Sequence, residues 1–151
     1  MDKGAIARNP RARHDYHLLE TWEAGVVLTG TEVKSLRAGK ASLGEAYAQV
    51  RNGEVWLAGM TISPYLPGSY NNSPPARSRK LLLHAREIRK LIGATSRKGL
   101  TIVPLELYFK NGIAKVTIAL AKAKQQHDKR EELKRRAEER ELGRHIRARR
   151  G

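Results

Sequence analysis

Two Asn-Gly dipeptides, Asn52-Gly53 and Asn111-Gly112, each separate a pair of runs in which apolar and polar residues alternate. Asn-Gly suits a two-residue turn because both central positions of that turn need positive φ. Each dipeptide therefore predicts an antiparallel hairpin. In the second, Leu105, Leu107 and Phe109 share one face of the incoming strand, and Val116, Ile118 and Leu120 share one face of the outgoing strand, with Lys115 and Thr117 between them. That hairpin should be central to the core. The first joins AYAQV (46 to 50) to EVWLAGM (54 to 60), and a further strand should run from about Tyr16 to Leu28. Pro104 lacks an N–H, which predicts an edge or a bulge at its position.

Helical spacing interrupts the strands twice. TEVKSLRAG (31 to 39) places Val33 and Leu36 three apart with Gly39 as a stop, and HAREIRKLIG (84 to 93) places Ile88, Leu91 and Ile92 on one face. Both read first as core-packing helices. SPYLPGSYNNSPPARSRK (63 to 80) is rich in Pro, Ser, Asn and Gly, which predicts a long mobile loop. Five or six strands with two or three short helices suit a mainly β fold, an OB-type antiparallel barrel, occupying residues 1 to 121. Residues 122 to 151 carry twelve Lys or Arg and six Asp or Glu, but only Leu133, Leu142 and Ile146 as large aliphatics. Such a tail cannot bury a face of its own. It should be disordered when free and become helical on a partner, since i,i+4 pairs such as Glu131 with Arg135 contribute only about 0.2–0.5 kcal/mol each.

The formal net charge is +15, of which the tail holds +6, so the barrel is itself basic. A polyanion is the expected partner, with nucleic acid ahead of a membrane. The absence of cysteine excludes disulfides, Cys-ligated zinc and thiol catalysis. The opening residues lack an apolar signal region, and runs such as AGVVL (24 to 28) are too short to span a bilayer, so a soluble cytoplasmic protein is expected. His14 and His17 are close in sequence, but an extended segment points them to opposite faces and no carboxylate or thiol cluster completes a metal site. No phosphate-binding Gly-rich loop or Gly-x-Ser-x-Gly elbow occurs. No metal, cofactor or enzymatic activity is expected. A nuclease using His14 and His127 as acid and base is a competing reading.

Basic residues fall in four clusters: Arg8, Arg11, Arg13 and His14; Lys34, Arg37 and Lys40; Arg77, Arg79 and Lys80; and Lys122, Lys124, Lys129 and Arg130. Any one of them reads equally as solvated surface, but four around one small fold point to an extended RNA-binding surface. Tyr16, Trp22, Tyr47, Trp56 and Tyr108 offer faces for base stacking, although aromatics at strand spacing more often belong to a core.

ARHDYHLLETWEAGVVLTGTEVKSLRAGKASL (12 to 43), SRKLLLHAREIRKLIG (78 to 93), LELYFKNGIAKVTIALAKAK (105 to 124) and HDKRE (127 to 131) together resemble the SsrA-binding, or small protein B, family over nearly the whole chain. The resemblance implies an OB-type barrel that binds the tRNA-like domain of transfer-messenger RNA and promotes its aminoacylation. It also implies delivery of that RNA, with elongation factor Tu, to ribosomes stalled without a codon. It places RNA-contact regions at Arg11, Arg13, His14, Glu32 and Lys34, with Lys80 and His84 in another matching motif, and the basic residues Arg37, Lys40, Arg79, Lys110, Lys122 and Lys124 are expected to extend that RNA-binding surface. In the tail it implies a segment that turns helical along the empty mRNA path. There His127 would stack on a decoding-centre base, Lys129 and Arg130 would grip phosphates, and Asp128 would make a polar contact or an N-cap. Ala123 stands where the family commonly has glycine. The acid at position 32 has two readings, a first-turn carboxylate favoured by the helix dipole, or an acceptor that orders a neighbouring Arg or a base amino group. A ribosomal or assembly protein with a basic tail is the principal alternative function. A membrane-surface helix is a weaker one, because the tail offers little apolar area.

Overall fold

The computed structural model describes residues 4–65, 74–97, 99–124, 130, 133–138 and 140. Its ordered elements are β1 (Ala7–Arg8), α1 (Arg11–Asp15), β2 (Tyr16–Val26), α2 (Gly30–Arg37), β3 (Ala41–Ser42), β4 (Tyr47–Arg51), β5 (Glu54–Ala58), β6 (Thr61–Ile62), β7 (Arg79–Leu82), α3 (Ala85–Thr95), β8 (Leu100–Lys110) and β9 (Ile113–Ala123). Asn52 and Gly53 have φ of 50° and 74°, and Asn111 and Gly112 have 52° and 74°, so both hairpins turn as their Asn-Gly dipeptides dictate.

The strands run in the order β8-β4-β5-β7-β2-β9, and β9 pairs again with β8, which closes a six-stranded antiparallel ring. Closure removes the exposed edges that an open sheet would present. The long hairpin β8–β9 is the spine of this barrel, and β2 lies along the other edge of β9 from Tyr16 opposite Ala123 to Gly25 opposite Lys115. The register of β8 on β9 shifts between Pro104 and Glu106, the bulge that proline predicts. This bulge divides the outer edge of β8. Ile102 pairs with Ala48 of β4 before it, and Glu106 and Leu107 pair with β1 after it. Asn9 holds the junction by donating its side-chain amide to Pro104 O at 3.0 Å.

Inside the ring Leu57, Leu81, Leu107, Val116 and Ile118 are fully buried, with Leu36 from α2 and Leu91 from α3 in the same core. A second apolar cluster lies on the opposite face of the hairpin base, where Ala12 of α1 packs on Val103, Ala119 and Ala121. The small side chains of β9 let a helix approach closely there. Strand residues 118 to 121 are consequently buried on both faces, which simple alternation does not anticipate. Two further expectations need correction. Residues 11 to 15 are helical, so His14 sits on α1 and His17 on β2 rather than on one extended segment. Ile92 is 39% exposed, and Ala94 takes the buried place on α3. Of the three consecutive leucines, Leu81 is core and Leu82 is 55% exposed, as strand alternation requires.

Gly59 has φ of +77°, and a Cβ there would lie 2.5 Å from Glu45 O. Gly53 shares the positive φ (+74°) but faces open space. Gly59→Ala should lower stability by at least about 2 kcal/mol and Gly53→Ala by about 1 kcal/mol. Urea unfolding of the two variants checks the order, and equal losses would contradict the steric assignment.

Candidate nucleic-acid interface

The start of α2 is fixed by a reciprocal cap. The Glu32 N–H donates to Thr29 Oγ1 at 3.4 Å, and the Thr29 N–H donates to Glu32 Oε1 at 3.0 Å. The same carboxylate is the hub of a buried ion cluster. Arg77 donates to it from Nε at 3.1 Å and from Nη2 at 2.5 Å, and Arg79 donates from Nε at 2.8 Å. Arg79 shares the inward face of β7 with Leu81, and its side chain is wholly buried. Its remaining donors reach Met60 O at 2.8 Å, Arg77 O at 2.9 Å and Pro75 O at 3.0 Å. One guanidinium thus ties α2, the end of β5's loop and the segment before β7 into a single block.

Burial by itself would raise the Glu32 pKa, but hydrogen bonds from Arg77, the Thr29 N–H and Arg79, with the charge of Arg79, hold it below the ordinary carboxylate value. Burial lowers the pKa of Arg79, and Glu32 offsets that effect in part. Glu32 is 4% exposed and Arg79 is 0% exposed, so these two expected RNA contacts are interior and do not reach the surface. Both readings of Glu32 apply at once, since it caps the helix and orders two arginines. The face shared by Arg79 and Leu81 was a readable signal of an inward arginine. Nothing in the spacing of residues 32 and 79 announced their pairing.

The surface basic residues form two groups at opposite ends of the hairpin. At its base, α1 presents Arg11 and Arg13, and His14 lies 2.9 Å from Asp15. Lys122 pairs with His17 across β2 and β9. Lys124 donates its N–H to Asp15 O at 2.8 Å and its Nζ to Arg13 O at 3.0 Å. The strand runs unbroken through Ala123, so no hinge lies at that residue and a cut after residue 121 would remove paired backbone. At the hairpin tip, α2 presents Lys34 and Arg37. The Lys34 ammonium lies 5.5 Å from the Tyr65 ring, and the Arg37 guanidinium lies 5.9 Å from the Phe109 ring. Lys40 follows on the exposed turn after α2, and Lys110 approaches Glu23 at 3.2 Å. The Tyr108 hydroxyl also donates to Glu23 at 2.5 Å, which with Lys110 keeps that carboxyl below its ordinary pKa. About 30 Å of strand separates the two groups.

Lys80 and His84 are engaged elsewhere. Lys80 is ion-paired with Glu54, and His84 is the N-cap of α3, its N–H donating to Glu87 at 2.9 Å. Of the aromatics, Trp22 packs against the core and Tyr16 against the second cluster. Tyr47 is 48% exposed, and Trp56 carries the Arg51 guanidinium at 5.1 Å. His127, Asp128 and Lys129 lie outside the described residues, as does most of the tail; Arg130 and residues 133–138 are helical and exposed. Among the described residues no group of three or more His, Asp or Glu is placed to hold a metal ion, and no helix is long and apolar enough to cross a membrane.

A closed OB-type barrel with cations at both ends of one hairpin is the architecture of a nucleic-acid-binding barrel protein. The SmpB protein family model matches residues 6–148, and the chain belongs to that family. It is 56% identical over 154 residues to the SsrA-binding protein of Thermobifida fusca, covering 99% of this chain and 96% of that one. To the SsrA-binding protein of a Geobacillus species it is 55% identical over 152 residues, covering 99% and 98%. A solved structure described as "tmRNA-SmpB: a journey to the center of the bacterial ribosome" matches with a TM-score of 0.66 at 53% identity, covering 79% of this chain and 84% of that one.

Glu32→Gln should destabilise the fold by about 3–5 kcal/mol, because it leaves Arg79 buried without its counter-charge. The folded pKa of Glu32 lies below its unfolded value, so its contribution is complete above the unfolded pKa and is lost as pH falls through the folded one. Urea midpoints measured from neutral pH into acid should fall for the parent chain, and this component of the fall should vanish in Glu32→Gln. An unchanged acid profile would contradict the role assigned to the carboxylate.

Proposed function

We propose that the chain is an RNA-binding adaptor of the bacterial cytoplasm that binds transfer-messenger RNA and delivers it to stalled ribosomes for trans-translation. The observation that carries this reading is similarity over nearly the full length to proteins named SsrA-binding protein, joined to a structural match with an SmpB described together with tmRNA and the ribosome. In this reading the barrel holds the tRNA-like domain. Lys34, Arg37, Lys40 and Lys110 at the hairpin tip, with Arg11, Arg13, His14, Lys122 and Lys124 at its base, supply phosphate contacts. Glu32 and Arg79 act from inside by fixing the helix that carries Lys34 and Arg37. Elongation factor Tu joins through the aminoacylated RNA, and the chain performs no bond chemistry itself. The tail from residue 125 onward enters the empty mRNA path, with His127, Asp128, Lys129 and Arg130 at the decoding centre.

Residues 1–124 should fold and bind the tRNA-like domain without the tail. Affinity should fall with salt with a log–log slope of roughly −4 to −7 if about 6–8 phosphates are neutralised. Filter binding at several salt concentrations reads this, and a folded fragment that binds no RNA at low salt would defeat the assignment. Lys129→Ala combined with Arg130→Ala should leave transfer-messenger RNA binding within about twofold of the parent while tagging of stalled chains is lost. His127→Ala should be milder, because stacking contributes only about 1–3 kcal/mol per base. A purified tagging reaction measures both variants.

A further inference from the structure

α3 fills the core with Leu91 and Ala94, and its other side carries a feature that packing does not account for. At 3.6 residues per turn, Arg86, Arg89, Lys90, Gly93 and Arg97 fall within an arc of about 100°. Arg97 lies just past the helix, but its N–H still donates to Ala94 O at 3.1 Å and so continues the winding. All five residues are exposed, and no carboxylate lies on this arc. Lys90 is paired with Glu20 at 2.8 Å, whereas the guanidinium groups of Arg86, Arg89 and Arg97 have no hydrogen bond or ion pair with another described residue.

Two features of this face oppose helix stability. Arg86 stands in the first turn, where the helix dipole disfavours a cation. Gly93 stands inside the helix, where glycine is the poorest residue after proline, and an added Cβ would meet nothing within 4 Å. The fold therefore has no steric need for glycine at the centre of the arginine arc. Absence of a side chain there leaves a shallow step between cations, which lets a sugar-phosphate backbone approach the helix closely. The position of α3 indicates which RNA. The N–H of Leu100 donates to Arg97 O at 3.3 Å, and Leu100 stands opposite Lys122 on β9. The basic arc thus ends beside the root of the C-terminal tail.

We propose that the solvent face of α3 is a second docking surface that grips the ribosomal RNA backbone next to the tail, with Arg86, Arg89 and Arg97 contacting phosphates across Gly93. This rests on the ribosome-directed reading of the tail given above. The test uses the full chain with Arg86→Gln, Arg89→Gln and Arg97→Gln combined, and separately Gly93→Ala. Each is titrated against purified stalled ribosomes and against the isolated tRNA-like domain at several salt concentrations. The triple variant should bind ribosomes about tenfold or more weakly at low salt, with a salt slope shallower by about two to three, while its affinity for the tRNA-like domain stays within about twofold. Gly93→Ala should melt at a higher temperature and yet bind ribosomes more weakly, a combination that a purely structural or purely electrostatic face does not produce. Parent-like ribosome binding by both variants, or a loss confined to the tRNA-like domain, overturns the proposal. If the parent chain itself binds neither RNA, the underlying functional reading fails instead.

Discussion

The carboxylate of Glu32, buried between Arg77 and Arg79, is the contact on which the rest of the surface geometry depends. A buried ion pair rarely adds net stability over an apolar substitute, since desolvation opposes the Coulombic gain. Its value here is positional. Through Arg79 it binds the carbonyls of Met60, Pro75 and Arg77, and through its own N–H and Thr29 it sets the first turn of α2. Lys34 and Arg37 ride on the last turn of the same short helix, so the location of two surface cations is decided by an interaction that neither touches. An acidic residue in a basic protein is thereby explained without any contact to RNA.

Much of the barrel was legible because local chemistry and tertiary need agree. The Asn-Gly turns, the alternation of Val116, Ile118 and Leu120, and the proline bulge all followed from single-residue preferences. What escaped was set by contacts distant in sequence. α1 has only five residues and no strong periodicity, and it exists because Ala12 finds the alanine-lined outer face of β9. The candidate site was legible as a set of cations, but not as two ends of one hairpin, since that separation follows from strand pairing. Glu32 and Arg79 were recognisable as notable residues, whereas the burial of Glu32 and its pairing with Arg79 required knowledge of the fold.

The two basic groups stand on one continuous element, which matters for how an adaptor works. Eleven-residue strands β8 and β9 are hydrogen-bonded along their length and flanked by β2, so the ends cannot move independently. Partners bound at tip and base would be held at a fixed separation. The α3 arc ends at the base, where Arg97 leads to Leu100 opposite Lys122, and adds a cation to that end.

Ring closure also dictates an order of events during folding. The last strand, β9, supplies both the partner of β8 and the partner of β2, with Tyr16 meeting Ala123 across the seam. Before β9 is present, β2 has only its short register with β7, and the core residues Val116 and Ile118 are missing. Assembly must therefore wait for a contact between segments near the two termini, a pairing with a high entropic cost of loop closure. A chain being synthesised cannot complete its barrel until almost all of the barrel sequence is available, and until then its hydrophobic strands lack their final cover.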